Sequence, residues 1–462
     1  RDGSLYVLKK WVFDQKEKVI WGEGSQYDQN RNLIAGPGQV PGSRSAIPSA
    51  MIQIPNADVV LHESSTLQNS SGNLASITIV GVPFGLISAY CIINPKACFG
   101  SCPTFYAFDG ERMELMAEGF SSSILPVYEK KDIDMLYWQR NKGKDFQIKL
   151  TNEAMETHVI RYADLLVFPV RDGERVFATE DGEFFRTSTI HEPVKCVADE
   201  GNICDLIRFN DHNERFSETD TRNLAKREEI EMEFEVEQAG QYGLLLSTRQ
   251  TLLTTWLFYQ SLAYTGTMAG HYAAAIELGN KVMKRKVDKL CELLGGVEVL
   301  MMDERGKWMP VEELREMGPI ASDVHLIALP KMENHNVRIK LRMTQGLWRI
   351  DYLALAALDQ QVYPERLRPA RVWRENEEDE PVRQILLDTI NPLVTYPGDQ
   401  YRLTYTLPEG ADMEVFLESK GYYLEWIREE WLAEEDLKKA ALMFALPGLY
   451  LRKAAPAFKE VE

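Results

Sequence analysis

In the stretch EIEMEFEVE, the apolar side chains Ile230, Met232, Phe234 and Val236 alternate with glutamates. A period of two puts the apolar set on one face of a strand and the carboxylates on the other. The pattern recurs along the chain. TFYAFDGERMELMAEGF reads as a hairpin turning at Asp109-Gly110, and RVFATEDGEFFRT as another turning at Asp181-Gly182. DFQIKLTNEA, HVIRYADLLVFPV, NVRIKLRMTQGLWRIDYLALAAL, YRLTYTLPE and MEVFLES continue in the same style. So many short strands must pair into antiparallel sheets, each with a face to cover. The expected class is mainly β, a multidomain α+β chain.

Composition shifts divide the 462 residues. Residues 1–64 read as a small β-barrel-like unit, with GPGQVPGSRS as loop. Residues 65–94 hold a polar linker and then an apolar segment, uncharged from Leu74 to Ile93. As a helix that segment would match bilayer hydrocarbon in length, although Pro83 would kink it. Ile77, Ile79, Val82, Phe84, Leu86 and Ile87 are its candidate contacts with a membrane or a partner protein. Residues 95–247 form a β-rich domain, in which SETD at 217–220 suggests a short capped helical turn. Residues 248–296 are helical. Gln250–Ile276 carries no formal charge and reads as one long helix; its threonines, Gln260 and His271 argue for burial under sheets rather than insertion into lipid. KVMKRKVDKLCELLGG follows as an amphipathic helix stopped by Gly295-Gly296. Residues 297–423 are expected as an antiparallel β-sandwich, and 424–462 as amphipathic helices broken at Pro447 and Pro456.

A formal net charge of -18 argues against a nucleic-acid groove and against adhesion to anionic lipid by charge alone. Cys98 and Cys102 flank one short loop, Cys196 and Cys204 another. Both pairs are candidate disulfides, with reduced buried thiols as the alternative. His191 and His212 bracket the second pair, but neither a CxxC spacing nor a helical His pair supports zinc. The sequence holds no GxSxG elbow, phosphate loop, dinucleotide fingerprint or HExxH. No catalytic residue, metal ligand or cofactor is therefore assigned. With 70 acidic residues, a glycosidase pair cannot be picked out. Trp308, Trp348, Trp373 and Tyr422 are candidate ligand aromatics, with core packing as the competing reading.

NPKACFGSCPTFY and AEGFSSSI, with DGSLYVLKKW and GEGSQYDQNRN upstream, resemble a family of uncharacterised envelope proteins of Bacteroidota-type bacteria, several of which look like lipoproteins. RQTLLTTWLFYQSLAYTG, MTQGLWRIDYLALA and SKGYYLEWIREEWLAEED resemble a wider set sharing the same cysteine-aromatic hairpin. GLWRIDYLALA is also similar to strands of galactose-binding-like jelly rolls. The resemblance implies a cell-envelope location, periplasmic or outer-membrane associated, in which both cysteine pairs would be oxidised. It also implies a lipid anchor upstream of Arg1. The resulting expectation is a non-enzymatic binding or scaffold subunit whose partners are envelope or outer-membrane proteins. A carbohydrate-binding protein using the C-terminal sandwich is the alternative, and an unrecognised hydrolase the second.

Overall fold

The computed structural model describes residues 5–14, 16–27, 33–35, 50–55, 102–108, 113–136, 145–315, 318–332, 335–388, 390–409 and 412–462. The 74–93 segment with its six candidate contacts, Cys98 and the Asp109-Gly110 turn lie outside them. The chain divides into two compact units, Arg1–Val82 and Pro83–Glu462.

In the first unit, Val19–Tyr27 pairs antiparallel with Leu5–Asp14 on one side, and with Leu33–Ala35 and Ala50–Pro55 on the other. Ile20, Ile52 and Ile54 form its core, with Tyr6 and Phe13 packed against them. Among the described residues this is an open four-stranded sheet, not the barrel-like closure expected, because no pairing there joins Leu5–Asp14 to Ala50–Pro55.

The second unit is built from antiparallel sheets with hydrophobic cores between them. Sheet I holds Thr104–Phe108, Met113–Glu118, Asp145–Thr151, Arg371–Arg374, Glu377–Glu378 and Gln400–Thr406. Sheet II holds Lys130–Met135, Glu156–Val170, Glu365–Leu367, Leu393–Thr395 and Asp412–Glu425. Sheet III holds Ile190–His191, Arg215–Phe216, Tyr242–Gln250, Asp323–Ala328 and Trp348–Ala357. Sheet IV holds Lys195–Ala198, Gly201–Asn202, Arg227–Glu235, Val297–Met302, Trp308–Leu314 and Asn336–Thr344. A small sheet of Arg175–Ala178, Phe184–Thr187 and Gln360–Val362 lies beside II and III.

Each middle sheet is apolar on both faces, which explains its unbroken apolar runs. Leu165 and Val167 of sheet II face sheet I, while Leu166 and Phe168 face sheet III. Leu244 and Leu246 of sheet III face sheet IV, while Leu245 faces sheet II. The layers therefore form two sandwiches, I/II and III/IV, joined through the II/III face. The first is made from residues 104–170 and 365–425, and the second is inserted between them in the chain. Residues 95–247 and 297–423 thus do not form separate sheets.

The uncharged stretch is helical, but it is not one buried helix. It breaks into α1 (Leu253–Thr265), a 3-10 turn (Gly266–Met268) and α2 (Ala269–Glu277). Gly266 makes the break, with φ 46° and ψ -121°, a conformation that side-chain-bearing residues resist. Helix α3 (Lys281–Leu294) is capped by Asn280, which accepts from the Val282 and Met283 N–H groups, and it ends at Gly295 as expected. Glu380–Leu387 forms α4, and the C-terminus forms α5 (Glu429–Ala433), α6 (Leu437–Ala445) and α7 (Pro447–Lys459). Pro447 does separate two helices. Pro456 lies inside α7 without ending it. The SETD segment is a turn in which Asp220 accepts from the Arg222 and Asn223 N–H groups, not a helix. No helix among the described residues is long and apolar enough to cross a membrane.

Candidate functional site

The four candidate aromatics stand on four different sheets: Trp373 on I, Tyr422 on II, Trp348 on III and Trp308 on IV. Trp348 is fully enclosed in the III/IV core and offers no face to a ligand. The Trp308 ring is covered by Lys340 at 4.8 Å and Arg338 at 5.7 Å, and the Trp373 ring by Arg402 at 5.3 Å. Tyr422 is half-buried. The structure does not assemble these rings into a common platform.

Cys102 is buried, while its proposed partner Cys98 lies outside the described residues. Cys196 and Cys204 are buried free thiols rather than a formed disulfide. They are nevertheless adjacent. The Ile203 N–H donates to the Cys196 carbonyl at 3.1 Å, bringing Cys204 at the start of a helical turn over the strand of Cys196. Burial, and a hydrogen bond with the Cys204 side chain, push the Cys196 thiol well up. His191 instead packs its ring 5.9 Å from Tyr242. Among the described residues, no three His, Cys, Asp or Glu side chains are placed to hold a metal ion.

A cluster that periodicity did not announce lies where the edge strands of sheets II and III meet. Asp132 and Asp134 come from Lys130–Met135, and Asp323 and His325 from Asp323–Ala328. With Glu118, Ser121 and Gly318, the three aspartates line a cavity of about 10 Å³, room for one water-sized occupant. Asp132 accepts from the Phe120 N–H at 2.6 Å, and Glu118 from the Ile320 and Ala321 N–H groups at 2.6 and 2.8 Å. His325 pairs with Asp323 at 2.8 Å. Among the described residues Asp134 Oδ2 has no hydrogen-bond partner. Burial, then the Asp323 carboxylate, hold the Asp132 carboxyl up at about 6, against the pull of the Phe120 N–H. Burial, then Asp132, Asp323 and Glu118, hold Asp134 well above the usual carboxylate range. Burial and the neighbouring carboxylates thus favour the protonated forms of Asp132 and Asp134.

A second buried network ties the end of sheet II to the helices. Glu425 is held well above the usual range by burial and by Glu156, which pairs with His158 at 3.0 Å. Arg428 pairs with Glu425 at 3.0 Å and lies against both rings of the Tyr259–Trp431 pair, 4.6 and 4.7 Å from their centroids, which are themselves 4.8 Å apart. The Trp426 indole donates to Thr157 at 2.9 Å.

The helices form a layer over the second sandwich. Leu253, Leu257, Leu290, Met443, Leu451 and Phe458 all enter the III/IV core. The outer side of this layer exposes several apolar side chains among its charged ones. Leu278 is 88% exposed and Val282 66%, with Met268, Leu432, Leu437, Leu446 and Leu449 exposed as well.

No protein-family model matches this chain, and no curated protein matches it. Two of the solved structures it matches are carbohydrate-active enzymes. One is a β-porphyranase of glycoside hydrolase family 86 from the human gut bacterium Bacteroides plebeius, with 9% identity and a TM-score of 0.15 over 56% of this chain and 39% of that one. The other is a family 31 α-xylosidase from Xanthomonas citri, with 8% identity and a TM-score of 0.15 over 93% of this chain and 33% of that one. The chain therefore spans well under half the length of either.

Proposed function

We propose that this chain is a non-enzymatic binding or scaffold subunit of a membrane-associated envelope assembly, docking a partner protein on its helical layer. The supporting observation is that most of the uncharged stretch Gln250–Ile276 forms α1 and α2, with Leu278 and Val282 bare beside it. In a chain of net charge -18, leaving such a surface to water is costly, and a protein partner removes the cost. The apolar 74–93 segment supplies a second contact, to membrane or partner. The four-sheet body gives the helical layer a rigid frame.

The test is purification of the full chain from native membranes, beside a Leu278→Asp, Val282→Asp variant. Both side chains are exposed, so the variant keeps its melting temperature. Wild type should carry a stoichiometric partner that the variant loses. Wild type recovered alone and monomeric without detergent would overturn the reading. An envelope location also predicts that Cys196 and Cys204 lose two protons and two electrons, the electrons reducing a disulfide oxidant to its dithiol, and form one S–S bond. Free thiols at both positions in freshly isolated protein would count against that location.

A further inference from the structure

From the groove between α3, α7 and the start of sheet IV, we infer a binding site for a small oxyanion-bearing molecule, a carboxylate or a phosphate. The groove has a volume of about 420 Å³, in the range of small-molecule sites. Arg227 and Arg452 line it from opposite elements, with Asn223, Glu292, Leu293 and Gly448 completing the wall. Arg227 opens the strand Arg227–Glu235, and Arg452 projects from the second turn of α7.

Most arginines of this acidic chain are committed. Arg215, Arg249, Arg338, Arg342 and Arg366 each hold a carboxylate. Among the described residues neither Arg227 nor Arg452 forms an ion pair, although Arg227 is near enough to Glu313 to help hold that carboxyl down. Arg227 makes one neutral contact, in which its Nη2 donates to the Leu293 carbonyl at 3.5 Å and closes the end of α3. Its Nη1 is buried without a partner among the described residues. Gly295 leaves room for this guanidinium, because a side chain there would run into it. An oxyanion in the groove would meet the exposed Arg452 and the part of the half-buried Arg227 side chain that lines it, and each guanidinium can give it a charge-assisted hydrogen bond. The first turn of α7, which has no side-chain cap, reaches the groove at Gly448. The last turn of α3 brings its carbonyl end to the same groove at Leu293. The two helix dipoles therefore oppose each other there, and the arginines supply the net attraction.

Among the described residues Glu292 is the only carboxylate lining the groove. It opposes an incoming anion and so keeps affinity modest. That gives the proposal a second sign to test. Arg452 is exposed and supports no core contact, so its truncation should not disturb folding. The experiment is calorimetric titration of the full chain at low ionic strength with inorganic phosphate, glucuronate and glucose. Phosphate, glucuronate or both should bind; which one binds distinguishes a phosphate ligand from a carboxylate ligand. Arg452→Ala should weaken binding about tenfold, equivalent to about 1.4 kcal/mol, and Glu292→Gln should tighten it. The site is refuted if neither anion binds, if glucose binds as well as glucuronate, or if Arg452→Ala binds unchanged. None of these outcomes depends on the docking of a protein partner.

Discussion

At the scale of single residues, the second unit is held by charges taken out of water. Arg215 is 1% exposed and is gripped by Glu228 through two hydrogen bonds of 2.8 and 3.0 Å, and by Glu200 through two of 2.8 and 3.1 Å. Removing one partner of such a pair strands the other in a medium that cannot solvate it. Arg215→Met should therefore cost about 3–5 kcal/mol in denaturant unfolding. Adding Glu228→Leu should return much of that loss, and a double variant as unstable as the single would contradict this account. The aspartate junction works with the opposite sign. Asp132 and Asp134 hold protons in the folded chain that the unfolded chain releases near the ordinary aspartate value of 3.8. The folded state then binds more protons, so stability falls as pH rises from about 4 through about 6. His325 acts in the same direction. Burial works against its charge, but Asp323, Glu180 and Asp132 together raise it. The stability it contributes is complete below its unfolded value and is lost as pH rises through the folded one. Glu118 adds to the negative field at Asp134, and Lys130 relieves it at Asp132. Asp134→Asn should thus raise the melting temperature by several degrees at pH 8 and by less at pH 4, and equal shifts at the two pH values would sink the argument.

At the scale of elements, legibility followed periodicity. The 229–237 strand was readable because one face is wet: Ile230, Met232 and Phe234 are fully buried while Glu229 and Glu235 are exposed. The Asp181-Gly182 hairpin was readable from its turn, where Gly182 takes φ 81°. The aspartate junction was not. In KKDIDM the aspartates alternate with Ile133 and Met135, so they read as a solvent face, and nothing local says that another sheet edge covers it. Arg227 and Arg452 were missed for the same reason, being 225 positions apart in the chain. The aromatics misled in the opposite way: closeness of type in the sequence said nothing about which sheet each would join. The break in the uncharged helix had a visible cause in Gly266, yet only the packing decides that the glycine ends a helix. A Gly266→Ala variant tests this. A side chain there would meet Glu435, and φ 46° strains any L-residue, so unfolding free energy should fall by about 1–2 kcal/mol. An unchanged or raised stability would mean that the kink is not fixed by this residue.

At the scale of the molecule, the order of the chain and the order of the layers disagree. Strand runs at 104–170 and 365–425 build one sandwich, and the run between them builds the other. Loops of that length cost little more entropy than short ones, so distant strands pair readily once their faces match. Pattern reading along the chain sees neighbours first and therefore divides the body at 247 and 297, where no sheet divides. The C-terminal helices cross the layers again: they follow the last strand of the first sandwich, yet α6 and α7 bury Met443, Tyr450, Leu451, Ala454, Ala455 and Phe458 in the core of the second. At about 2 kcal/mol for each large apolar side chain, Met443, Leu451 and Phe458 carry a share comparable with the roughly 5–15 kcal/mol by which a domain is stable. The inserted run should consequently fail to stand alone. Residues 188–358, which keep α1–α3 but lack the C-terminal helices α5–α7, should keep far-UV strand signal but lose near-UV ellipticity and bind a hydrophobic dye, whereas the whole second unit should show neither defect. Deleting residues 434–462 from the full chain should produce the same loss in the second sandwich while the first keeps its amide protection. If the excised run instead folds with a sharp transition and native near-UV signal, α5–α7 are an ornament on a sandwich that α1–α3 already complete, and the share of stability assigned to Met443, Leu451 and Phe458 is wrong.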